Sequence, residues 1–95
     1  MNRVLVYYHE YFGRLGNLDA IFVCTENQYE KILNVRQLYL YEALGKHTEV
    51  FADIGSNITT ILKETPETKE VFDKLSSVFV GPVDSIMEAI EEEGE

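Results

Sequence analysis

The alternation in RVLVYYHEY, Arg3 to Tyr11, constrains this chain more than any other feature. Successive side chains of a strand point to opposite faces. Val4, Val6 and Tyr8 therefore share one face, and Leu5, Tyr7, His9 and Tyr11 share the other. A second strand-like run, DAIFVC (Asp19 to Cys24), follows Phe12 to Leu18, a stretch holding Gly13, Gly16 and Asn17. These residues accept positive φ, so the pattern predicts a wide hairpin loop and an antiparallel return.

Downstream, the signals predict a helix from Thr25 to about Asn34. The Thr25 hydroxyl caps its first turn, with Gln28 as the capping-box partner, and Tyr29, Ile32 and Leu33 face inward. Gln37 to Ala43 reads as a third strand in which Leu38 and Leu40 oppose Tyr39 and Tyr41. A Gly45-Lys46-His47 turn leads to a fourth strand, Thr48 to Ile54. After Gly55, Ser56 or Asn57 is placed to cap a short helix ending near Glu64. Its N-terminus would be a candidate anion contact. Thr65-Pro66-Glu67 reads as a helix start, with Val71, Phe72 and Leu75 on the buried side. Ser77 to Val80 is expected as a fifth strand, ended by Gly81-Pro82. A final helix buries Val83, Ile86, Met87 and Ile90 at the spacing of one face.

These elements predict an α+β fold. A mixed, mainly antiparallel sheet of four to five strands, in the order ββαββ and then helices, carries its helices on one face. The 95 residues are expected to form a single compact domain, with Glu91 to Glu95 frayed. Tyr7, His9, Tyr11, Tyr39 and Tyr41 would then share one uncovered sheet face. Such a patch suits binding or pairing with a second copy, so a homodimer or higher homo-oligomer is expected.

Charge narrows the function. Seventeen acidic residues against eight basic ones give a net charge of -9. Binding a nucleic-acid duplex needs many Lys and Arg contacts to phosphates, so that class is excluded. Hydrophobic content of 45% is enough to fold, which argues against disorder. Five of the last eight residues are Glu, a charge run that reads as a solvated helix face and end. The lone Cys24 cannot form an intrachain disulfide and reads as a small core residue. No apolar stretch approaches the ~20 residues of a membrane span, and MNRVLVYYHE lacks a secretory pattern. A cytoplasmic protein with no membrane contact is the expectation.

No motif fixes a reaction. His9 and Glu10 are adjacent, so a strand would point them apart. GKHT lacks the spacing of a phosphate loop. Two His and scattered carboxylates form no recognised metal pattern. No enzyme, no cofactor and no metal are therefore expected. What stands out is two loops of the form glycine then cation, FGRLGN with Arg14 and LGKHT with Lys46, His47 and Thr48. Glycine allows close backbone approach, and Arg and Lys supply charge for a phosphate or carboxylate. Tyr7, His9 and Tyr11 could pack on a ring. Glycine beside a charged residue is also the ordinary composition of a hairpin turn. The first functional expectation is a non-catalytic protein that sequesters or senses an anionic, nucleotide-like small ligand. The alternative is an acidic protein-interaction module, an inhibitor or adaptor of accessory or phage type, that binds a basic protein.

Overall fold

A computed structural model of the chain describes residues 2–93. The fold is α+β, in the order β1 (Arg3–Tyr11), β2 (Asn17–Thr25), α1 (Glu26–Ile32), β3 (Leu38–Tyr41), β4 (Glu49–Ala52), β5 (Ile58–Lys63), α2 (Lys69–Leu75) and α3 (Val83–Glu93). Short 3-10 turns at Gly13–Leu15 and Pro66–Thr68 join β1 to β2 and lead into α2.

The hairpin of β1 and β2 carries the alternation into the core. Val4 pairs with Cys24, Val6 with Phe22 and Tyr8 with Ala20, and all six are buried. β2 begins two residues earlier than expected, because Tyr11 pairs with Asn17 and Glu10 with Leu18. The intervening loop is correspondingly narrow. Thr25 then caps α1 as expected: its hydroxyl accepts from the Gln28 N–H at 3.1 Å, and Gln28 Oε1 accepts from the Thr25 N–H at 2.8 Å.

The strands form two sheets rather than one. The larger has the order β2-β1-β5, and β3 and β4 make a separate two-stranded ribbon. Every strand pair is antiparallel. Ile58 to Lys63 was expected as a helix and is instead the edge strand β5. Its run of Ile58, Thr59, Thr60 and Ile61 is β-branched throughout, which disfavours helix and suits a pleated surface. Asn57, expected as a cap, closes a turn instead, its side-chain amide donating to the Asp53 carbonyl at 2.7 Å. The helix N-terminus expected there as an anion contact does not form. Ser77 to Val80 contributes one bridge, Ile21 with Val80, in place of a fifth strand of the sheet. Val78, Phe79 and Val80 stay exposed.

The core lies between the inner side of β1-β2-β5, the inner side of the ribbon, α1 and α3. Ile32 of α1, Leu40, Val50 and Ala52 of the ribbon, and Val83, Ile86 and Ile90 of α3 meet there. Met87 packs against its edge. α2 does not join them. Phe72 is fully buried outside that cluster, with the Arg3 guanidinium 5.7 Å over its ring. Arg3 lies on the Leu5 side of β1, so helices flank both sides of the sheet, not one. Val71, expected to be buried, is 47% exposed. The fraying expected at Glu91 to Glu95 falls partly outside the described residues; α3 runs through Glu93.

Candidate functional site

On β1, Tyr7, His9 and Tyr11 lie on the side away from the core, as the alternation requires. Two of them are already engaged. His9 pairs with Asp19 in the strand register. The Tyr7 hydroxyl donates to Asp19 Oδ1 at 2.7 Å, and His9 Nδ1–H donates to the same oxygen at 2.6 Å. The two rings stack with centroids 6.2 Å apart and planes 16° from parallel. The Tyr7 hydrogen bond, seconded by His9, holds the Asp19 carboxyl below its usual range, and the same bond pushes the Tyr7 phenol up. The polar ends of Tyr7 and His9 thus converge on a carboxylate. Tyr11, at the end of the strand, is 70% exposed.

The two cationic loops pass near each other, one closing each sheet hairpin. Arg14 sits in the 3-10 turn, where Gly13 (φ +62°) and Gly16 (φ +106°) take the left-handed backbone that glycine accepts. In the second loop, the Glu42 N–H donates to the Thr48 carbonyl at 2.7 Å, and the Thr48 hydroxyl donates to the Gly45 carbonyl at 2.8 Å. Thr48 is thereby committed to shaping the turn. A methyl group on Gly16 would meet Leu44 Cδ2 at 4.0 Å, so the two loops pass near each other. Arg14 and Lys46 are exposed and make no ion pair or side-chain hydrogen bond among the described residues. His47 joins the Tyr41 hydroxyl through Nδ1 at 3.2 Å.

The ribbon presents a second surface. Tyr39 and Phe51 face each other in the register, with centroids 5.6 Å apart. Tyr39, Tyr41 and Phe51 are 47%, 54% and 63% exposed, while Leu40, Val50 and Ala52 between them point into the core. The Tyr39 hydroxyl donates to Glu49 Oε1 at 2.9 Å, which pushes that phenol up. Tyr39 and Tyr41 therefore do not share a sheet with Tyr7, His9 and Tyr11, contrary to the expectation of one aromatic face. Sequence reasoning passed over Phe51. Its signal was available in TEVFADI, where placing Val50 and Ala52 inward leaves Phe51 outward.

Cys24 is buried in the core cluster, and burial pushes its thiol up to about 11, a poor starting point for a nucleophile. Among the described residues, no helix is long and apolar enough to cross a membrane. Compared with family models, with curated proteins and with solved structures, the chain matches none.

Proposed function

We propose that this chain is a protein-interaction module that uses the outward face of the β3–β4 ribbon to bind a basic protein, without catalysis. One observation carries the reading: three large aromatic side chains, Tyr39, Tyr41 and Phe51, stand half-exposed on one short ribbon. Soluble domains seldom leave such a cluster without a use, and Tyr supplies contact area at low rotamer cost. Carboxylates edge the patch, Glu49 beside Tyr39 and Glu42 beside His47. With a net charge of -9, they favour a partner of opposite sign. A reducing compartment such as the cytoplasm suits the single thiol.

The test is quantitative capture from an extract of the source cells by three immobilised chains. These are the wild type, the Tyr41→Ala/Phe51→Ala variant and the Arg14→Ala/Lys46→Ala variant. A basic protein held by the wild type and the loop variant, but reduced roughly thirtyfold by the aromatic variant, fits a loss of about 2 kcal/mol at an interface centre. Equal capture by all three would remove the assignment.

A second reading draws on the nearness of the Gly16 and Leu44 loops, which leave Arg14 and Lys46 without carboxylate partners among the described residues. It keeps the loops as a contact for a small anionic ligand. Tyr7 and His9 serve it less well, because such a ligand would meet the Asp19 carboxylate there. Mass spectrometry of small molecules released on denaturing the purified protein tests it. A nucleotide-like compound, lost in the Arg14→Ala/Lys46→Ala variant, would favour this reading over the first.

A further inference from the structure

Beside the aromatic patch, β3 and α3 enclose a groove of about 220 Å³ lined by Leu38, Tyr39, Ser85, Glu88 and Ala89. Its chemistry has two parts. Leu38, Ala89 and Tyr39 line its apolar side, and Glu88 gives one exposed carboxylate. Glu88 makes no ion pair or hydrogen bond among the described residues. On α3, Asp84 precedes it by four residues and Glu91 follows it by three, both exposed, so three like charges run along one stripe. Such pairs repel on a helix. α3 carries no Lys or Arg, and none lines the groove. The site combines uncompensated negative charge with an aromatic face and a short apolar wall.

We infer that this groove receives an arginine side chain from the partner. The stem lies on Leu38 and Ala89, and the guanidinium stacks over the Tyr39 ring and turns toward Glu88. Arginine fits better than lysine because its planar, weakly hydrated guanidinium can stack on a ring and bond a carboxylate at once. The inference rests on the reading of the ribbon as the partner-binding face, and it names the residue that enters beside it.

The experiment needs no partner. Backbone amide shifts of the intact chain are followed while N-acetyl-arginine methylamide is added, with the lysine and citrulline analogues as controls. The expected result is weak binding, with Kd in about the millimolar range, that moves Leu38, Tyr39, Ser85 and Ala89. Lysine should bind less well and neutral citrulline not at all. Glu88→Gln should weaken arginine binding roughly threefold or more, the size of an exposed charge contact. Equal shifts from citrulline, shifts indifferent to Glu88→Gln, or no shift at the groove would each overturn the inference. If the groove fails while Tyr41→Ala/Phe51→Ala still abolishes capture, only the arginine assignment falls. If that variant keeps the partner, the whole face falls.

Discussion

Glu64 shows how one carboxylate ties distant parts of the chain together. It accepts the Arg3 backbone N–H at 2.8 Å and two guanidinium N–H groups at 3.0 and 2.9 Å. Arg3 also reaches Asp73 of α2 at 2.8 Å, and Lys69 meets Asp73 at 3.2 Å. The Arg3 side chain, then its backbone N–H, holds the Glu64 carboxyl down to about 2, from an ordinary 4.5. A carboxyl depressed in the folded state contributes stability that is complete above its unfolded value and lost as the pH falls through its folded value. Urea midpoints measured at several pH values should therefore drop between about pH 5 and about pH 2. Glu64→Gln should start lower and fall less across that window. Parallel curves for the two chains would show that Glu64 does not carry the effect. Tyr8 offers a second test. Its ring is fully buried, and its hydroxyl donates to Glu10 Oε1 at 2.7 Å, the same oxygen that accepts the Asp53 N–H at 2.9 Å. Tyr8→Phe keeps the ring and removes the donor. A hydrogen bond to a charged group contributes about 1.5–3 kcal/mol, so equilibrium unfolding should register a loss of that order.

The links between elements depend on close backbone approach. Gly81 (φ +90°) joins α2 to α3 against β2, and a Cβ built there would lie 2.1 Å from the Asp19 carbonyl oxygen and 2.9 Å from Ala20 Cα. Both neighbours are backbone of a central hairpin, so neither can give way cheaply. Gly81→Ala should lower stability by about 2 kcal/mol or more, read as a drop in Tm, and should break the Ile21–Val80 bridge. An unchanged Tm would mean that the α2–α3 link can move off β2. These elements also show what the sequence makes legible. The β1–β2 hairpin and the Thr25 cap could be read because alternation and capping are local patterns, decided within a few residues. β5 could not, because two local signals compete from Ser56 onward. A cap favours helix and a β-branched run favours strand, and only pairing with β1 decides between them. The side of the sheet taken by α2 was equally hidden. It depends on Arg3 meeting Glu64 and Asp73, residues 61 and 70 positions away. Among the candidate site residues, the outward direction of Tyr7, His9 and Tyr11 was legible. The capture of Tyr7 and His9 by Asp19 required the register.

At the scale of the whole molecule, the net charge of -9 acts on every encounter, and its sign separates two uses of the aromatic ribbon. A second copy of the chain would bring like charges together. Salt shortens the Debye length and weakens that repulsion, so self-association through Tyr39, Tyr41 and Phe51 should tighten as salt rises. A basic partner is drawn in by the same charge, so its binding should loosen. Between about 50 mM and about 500 mM NaCl the screening length falls from well above 10 Å to about 4 Å, enough to change either interaction measurably. Sedimentation velocity of the chain alone, at both salt concentrations, reads the first effect. Titration with the captured partner reads the second. For the interaction module, the chain alone should stay monomeric at both concentrations, and partner affinity should fall several-fold at the higher one. A dimer that strengthens with salt and is abolished by Phe51→Glu would instead assign the ribbon to a homo-oligomer. The aromatic patch would then serve assembly, and the acidic surface left outside it would be the place to look for a partner.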